Sequence, residues 1–152
     1  MTPDATIHAT CLLVGEEGVL IRGEPGSGKS ALARQLLAFA GRDGLFARLV
    51  ADDRVRLTLR HGRLVARPVP AVAGMLEVRG LGLASVPHEP AAIVRLVVDM
   101  QATPPDRLPG PAFGHACLLG VALPRIAAQA VGAAELVTWW LRGGRDTLMT
   151  VP

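Results

Sequence analysis

The chain has 152 residues, half of them apolar, a formal charge of +3 and only five Phe or Trp side chains, with no Tyr. That length fits a single domain, 1–152, with a core of Val, Leu, Ile and Ala, and so few aromatics exclude a stacking platform for single-stranded nucleic acid. The mild positive charge permits an acidic partner without requiring nucleic acid, and no apolar run approaches a membrane span, Arg95 interrupting the most promising one.

In chain order, residues 7–14 read as a strand, Gly15-Glu16-Glu17-Gly18 as a turn and 19–22 as a second strand. Two strands joined so closely form an antiparallel hairpin. It runs directly into Gly23-Glu24-Pro25-Gly26-Ser27-Gly28-Lys29-Ser30, which satisfies the phosphate-loop pattern G-x-x-x-x-G-K-[ST] at every fixed position. Gly26 and Gly28 permit turns that a Cβ would block, so successive N–H groups can point inward at a phosphate. Lys29 is placed to reach the β- and γ-phosphates, and the Ser30 hydroxyl to ligate Mg²⁺. Lys29 is also the only lysine among 16 basic residues. The chain departs from arginine where a compact point charge on a flexible stem is needed. A helix over 30–40 follows, its N-terminus aimed at the anion. Leu32, Leu36 and Phe39 form its buried face, and Gly41 is its expected stop.

Residues 47–51 read as a short apolar strand that delivers Asp52 and Asp53 at its end. Residues 54–59 and 63–67 read as a hairpin around His61-Gly62. Val55, Leu57 and Leu59 alternate with Arg54, Arg56 and Arg60, giving one buried and one wet face. The arginines fit a plain solvated face or a surface that attracts an acidic partner. Residues 68–70 break the strand. Gly74, Gly80 and Gly82 around a segment over 75–83 suggest backbone passing close to a ligand or a neighbouring strand. A buried strand over 93–98 ends at Asp99, a proline-rich loop over 103–111 holds Asp106 and Arg107, and 116–123 read as another strand. Pro124 is expected to open a final helix. Ile126, Ala127, Ala130, Val131, Ala134, Val137 and Leu141 would form its apolar stripe, and Gly143-Gly144 would stop it. Trp139 falls off that stripe and is a candidate for a subunit or partner contact. Cys11 and Cys117 fit no metal spacing and read as reduced, buried thiols. With no visible signal peptide, they point to the cytoplasm.

Phosphoryl transfer needs Mg²⁺, held partly by an acidic residue at a strand end, and a group that orients the nucleophile. Three carboxylate sets qualify: Asp52-Asp53 after Leu49-Val50-Ala51, Asp99 after Leu96-Val97-Val98, and Glu77 in the glycine-rich segment. Pattern alone does not rank Asp52 above Asp99. His8 lies on the strand leading toward the loop and is either structural or a site residue.

His8-Ala9-Thr10, Gly18-Val19-Leu20-Ile21-Arg22-Gly23 with the phosphate loop, Leu49-Val50-Ala51-Asp52-Asp53-Arg54-Val55, and Leu76-Glu77-Val78-Arg79-Gly80-Leu81-Gly82 together resemble the HPr kinase/phosphorylase family. The phosphate loop alone is widespread; the two later blocks in this order are far more specific. The resemblance covers the first two thirds of the chain well and the last third loosely. It implies an α/β fold, a P-loop-containing mixed sheet like the HPr kinase catalytic domain, similar to phosphoenolpyruvate carboxykinase and assembled as a hexamer. It implies ATP and Mg²⁺ as cofactors. The implied partner is an HPr-type phosphocarrier of the sugar phosphotransferase system, phosphorylated on a serine. By matched position, Asp52 resembles the residue that takes the serine proton, with His8 beside it and Arg107 as an active-site arginine. Lys29 and Ser30 keep their phosphate and Mg²⁺ roles, Glu77 is a second Mg²⁺ contact, and Asp53 is a further metal candidate. The resemblance is to the family's short form, essentially the catalytic core without the N-terminal domain. The Pro-Gly-Arg-Asn segment linked to phosphorolysis survives only as Pro124-Arg125-Ile126, so the kinase direction is expected to dominate. The alternatives are a small-molecule kinase of carboxykinase-like fold and a non-catalytic nucleotide-binding sensor.

Overall fold

The computed structural model describes residues 3–104 and 114–148. Strand β1, Asp4–Val14, turns at Gly15 and Glu16 into β2, Glu17–Arg22, forming the expected antiparallel hairpin with Val14 opposite Glu17. Helix α1, Lys29–Arg42, buries Leu32, Ala33, Leu36 and Ala40. It runs through Gly41, the expected stop. It ends instead where Gly44 takes a φ of 69° and the Leu45 N–H bonds the Ala40 carbonyl at 2.8 Å. That bond satisfies a carbonyl the helix end would otherwise leave open. Gly41 has helical neighbours on both sides and no such bond to make.

Strand β3, Ala47–Ala51, pairs with β1 over residues 11–14, whereas β4, Arg54–Arg60, pairs with β1 over residues 4–8. β1 therefore changes partner midway, and the Asp52-Asp53 bend lies at the changeover. Asp53 has a φ of 68°, a region aspartate visits more readily than most residues. The Ala9 N–H holds the bend through the Asp53 carbonyl at 3.2 Å. β4 and β5, Arg63–Pro68, form the expected hairpin, with His61 and Gly62 both at positive φ, as a two-residue turn matched to strand twist requires.

Strand β8, Ala92–Met100, pairs antiparallel with β5 and parallel with β2, so β1, β4, β5, β8 and β2 close into a ring. One core, with Ala9, Leu20, Val55, Leu57, Leu64, Ala66, Val94 and Val97, draws on all five strands. A second, with Leu12, Ile21, Leu49 and Val98, packs beneath α1 and the C-terminal helix. Each fully buried leucine contributes roughly 2 kcal/mol of transfer free energy. The architecture is the mixed α/β sheet expected.

The glycine-rich segment is a small separate hairpin of β6, Met75–Val78, and β7, Gly82–Ser85. Close approach accounts for Gly74 alone, where a Cβ would lie 2.4 Å from the His88 ring. Gly80 and Gly82 have open space around them and take positive φ to make the turn.

The last third departs most from the sequence reading. The strand expected over 116–123 is two strands, β9, His115–Leu118, and β10, Val121–Ala128. β10 absorbs Pro124, Ile126 and Ala127, which helical spacing assigned to the final helix. It pairs with β9 over 121–124 and with β8 over 125–128. Pro124 thus stands where β10 has one neighbouring strand, a position that tolerates a missing N–H. Helix α2, Ala133–Leu141, buries Ala133, Ala134, Val137 and Trp140, while Val131, assigned to the apolar stripe, is fully exposed. Trp139 is half exposed, its ring packed over Gly144. Both thiols are free. Burial pushes the Cys11 thiol up to about 12, but Cys117 is exposed, contrary to expectation.

Asp99 lies within β8 and holds three strands together. Arg22 of β2 donates to it through Nε and Nη2, at 2.7 and 2.8 Å, and Arg125 of β10 through Nε. Burial acts to raise the Asp99 carboxyl, but the two arginines outweigh it and hold it below its ordinary 3.8. A folded pKa below the unfolded one contributes stability that is complete above about pH 5 and is lost as the pH falls through the depressed value. Asp99→Asn is therefore expected to cost roughly 1–3 kcal/mol at neutral pH, the cost of leaving arginine donors without their acceptor. It should also flatten the acid limb of the stability curve. Melting temperatures of both proteins between pH 7 and pH 3 check this; equal acid sensitivity would refute it.

Candidate active site

The phosphate loop, 23–30, joins β2 to α1. It is tightened by the Ser27 N–H bonding the Glu24 carbonyl at 3.0 Å, and Gly26 and Gly28 take positive φ. Lys29 is not the free loop charge its place in the motif suggests. It is only 8% exposed, and Nζ donates to the Gly23 and Glu24 carbonyls at 2.8 and 3.1 Å. The ammonium is thus held over the loop by carbonyls that it can exchange for phosphate oxygens.

The point of convergence is Asp52, also 8% exposed. Its Oδ1 accepts from Thr10 Oγ1 at 2.7 Å and from Ser30 Oγ at 2.8 Å, and its Oδ2 accepts from the Glu77 N–H at 3.0 Å. β1, α1, the β3–β4 bend and β6 each supply one member. Three donors on one carboxylate fix its orientation. Asp53, one residue on, is exposed and meets His8 Nδ1 at 3.3 Å.

His8, Pro25, Gly26, Gly28, Lys29, Ser30, Asp52, Asp53 and Glu77 line one cleft of about 350 Å³. Every described catalytic and metal candidate except Asp99 falls there. Gly23 is closed in by Ser27 Oγ and Met100. Glu24 and Ser27 border a neighbouring hollow beside Met100 and Gln101. Arg107 lies outside the described residues. Asp99, equal to Asp52 by pattern, is engaged by its arginines and is absent from the cleft.

Three polar residues given no role from sequence also line the cleft: Thr10, Arg34 and Arg79. Periodicity could have found them. Thr10 is two residues from His8 on a strand, and Arg79 two from Glu77. Arg34 is four from Ser30 on a helix, and its Nε is buried without a hydrogen-bond partner among the described residues.

The donor set suits a hard divalent cation. The Ser30 hydroxyl and Asp52 carboxylate already share a hydrogen bond, and Glu77 borders the same cleft. Among the described residues no group of three or more His, Cys, Asp or Glu could hold a metal ion by itself; Mg²⁺ ordinarily takes one or two carboxylates together with phosphates and water.

A hairpin-fed loop of phosphate-binding sequence pattern, its Ser30 hydroxyl bonded to a buried carboxylate, marks the chain as one of the α/β proteins that carry such a loop. Which one is shown by its relatives. The model of the HPr Serine kinase C-terminal domain matches residues 1–89, and the chain belongs to that family. It is 39% identical over 87 residues to the HPr kinase/phosphorylase of Clostridium tetani, covering 57% of this chain and 27% of that protein. It is 40% identical over 89 residues to that of Xylella fastidiosa, covering 58% of this chain and 26% of that protein. The chain thus spans about a quarter of the length of the curated relatives it matches. The solved structure of the Hpr(Ser) kinase/phosphatase from Coxiella burnetii superposes with a TM-score of 0.74 at 27% identity, covering 94% of this chain and 97% of that one. Among the described residues no helix is long and apolar enough to cross a membrane.

Proposed function

We propose that this chain is an ATP-dependent protein serine kinase acting on an HPr-type phosphocarrier. The observation that carries the proposal is the buried Asp52 carboxylate hydrogen-bonded to the phosphate-loop hydroxyl of Ser30 at 2.8 Å. This contact supports a role for Asp52 as the proton acceptor beside the γ-phosphate. In the proposed reaction the acceptor serine oxygen attacks the γ-phosphorus. Its proton passes to Asp52, and ADP departs with the bridging oxygen and its electron pair. Thr10 and the Glu77 N–H keep Asp52 aimed while Lys29 gives up its loop carbonyls for phosphate oxygens. His8 orients Asp53, and Arg107 is proposed to meet charge on the transferring group. Ser30 and Glu77, with Asp53 at the rim, would hold Mg²⁺, which when bound neutralises phosphate charge.

The reading carries further proposals: a single catalytic domain over 1–152, a cytoplasmic location, weak phosphorolysis and assembly into a hexamer. Half-exposed Trp139 on α2 supports self-association. Light scattering at micromolar concentration is expected to give a mass well above the monomer's 15.9 kDa; monomer alone would refute it.

The reading is tested by incubation with γ-labelled ATP, Mg²⁺ and either an HPr-type carrier or small-molecule acceptors. Label on the carrier supports it. Label on a small molecule indicates the small-molecule kinase, and nucleotide binding without transfer indicates the sensor.

A further inference from the structure

Five arginines, Arg54, Arg56, Arg60, Arg63 and Arg67, alternate along β4 and β5 on the side away from the core. Arg56 stands directly opposite Arg67, and Arg60 opposite Arg63. Like charges placed directly opposite each other destabilise a sheet. The neighbouring β1 adds Thr6 opposite Arg56 and Asp4 opposite Thr58, so one carboxylate stands on this face against five guanidinium groups. None of the five forms an ion pair among the described residues. Between them, Val65 lies opposite Ile93 of β8, both partly exposed, so the face combines charge with a small apolar centre. It is also continuous with the cleft: Arg54 follows Asp53 and is opposite His8 in the β1–β4 ladder.

The geometry points to a docking face for an acidic protein surface, one whose carboxylates flank the hydroxyl that enters the cleft. This inference rests on the protein-kinase reading and names the partner chemistry of that same site. Arginine forks pair with carboxylates bidentately, and an apolar centre ringed by charge is the anatomy of a protein interface. A nucleic-acid strand is less well served. β4 and β5 carry no aromatic side chain on which a base could stack.

The test uses the full chain with Arg56→Gln, Arg60→Gln, Arg63→Gln and Arg67→Gln combined. The probe is a purified HPr-type carrier, and a second carrier has the Asp and Glu residues around its acceptor serine changed to Asn and Gln. The variant's KM for the carrier should rise about tenfold at low salt, and the difference should shrink as salt increases. Its kcat and ATP affinity should be unchanged, and its melting temperature equal or higher because like charges have been removed. Neutralising the carrier should weaken association similarly, and the two changes together should cost less than their sum. An unchanged KM would overturn the inference. So would a wild-type chain that holds a DNA duplex or an anionic phosphatidylserine vesicle more tightly than the carrier. Carrier binding by direct titration separates the two claims. Arginine-dependent binding without phosphorylation sinks the kinase reading and keeps the face. Phosphorylation indifferent to the arginines does the reverse, and absence of both removes both.

Discussion

Asp52→Asn is expected to lower kcat by a factor of about 10²–10⁴ while ATP affinity stays within a few-fold of wild type. The substitution keeps the side-chain volume and one carbonyl oxygen, which can still accept from Thr10 and Ser30. It removes the capacity to take a proton from an acceptor hydroxyl. A group acting in the transfer step shows its loss in kcat and not in nucleotide binding. There is a structural cost as well. The new amide turns a donor toward the Glu77 N–H that Oδ2 now accepts, and an opposed donor pair of this kind costs about 1–3 kcal/mol. Activity must therefore be reported per folded molecule. Asp99→Asn is the matched control, with stability reduced and kcat per folded molecule intact. Turnover, ATP affinity and melting temperature of the two variants separate the roles. Loss of turnover in Asp99→Asn with Asp52→Asn unimpaired would require the mechanism to be redrawn.

Lys29→Ala has the second large effect. Loss of a preorganised cation aimed at the transferring phosphoryl group is expected to lower kcat by at least about 10²–10³ and to weaken ATP binding as well. Seen only as a loop charge, Lys29 would contribute nothing to stability. The structure gives a different expectation, because Nζ bridges the Gly23 and Glu24 carbonyls from a buried position. Truncation leaves those carbonyls without their donor, at roughly 1–2 kcal/mol, or about 2–8 °C in melting temperature for a chain of this size. Lys29→Arg should not restore activity, since a planar fork cannot replace a compact ammonium in a closed loop. Near-normal turnover in Lys29→Ala would refute the phosphate-loop assignment.

How much was legible in the sequence follows from how local each signal is. The β1–β2 hairpin, the phosphate loop, α1 and the β4–β5 hairpin are each specified by short-range pattern, and all are present. The cleft was legible where its members lie in matched blocks: His8, Lys29, Ser30, Asp52, Asp53 and Glu77 all line it. Strand pattern did not choose between Asp52 and Asp99, since both end apolar runs; only the family resemblance favoured Asp52. The choice depends on long-range partners, Thr10 and Glu77 for one and Arg22 and Arg125 for the other. The last third misled for a related reason. Ile126, Ala130, Ala134 and Val137 fit a helical stripe, but β10 is held extended by β8, a parallel neighbour remote in sequence. Periodicity cannot register such a partner. The structural likeness nevertheless spans 94% of the chain, whereas the family model ends at residue 89, so the fold persists where the sequence blocks stop.

The central claim is that this site moves a phosphoryl group from ATP to a serine on a carrier protein. Mass spectrometry of an HPr-type carrier after incubation with the chain, ATP and Mg²⁺ tests it most directly. The account predicts one added phosphate on a single serine, stable in acid as a phosphate ester, absent with the Asp52→Asn chain and absent when that serine is changed to alanine. An unmodified carrier in the presence of a chain that binds ATP, or a phosphate found on any other type of side chain, would contradict it.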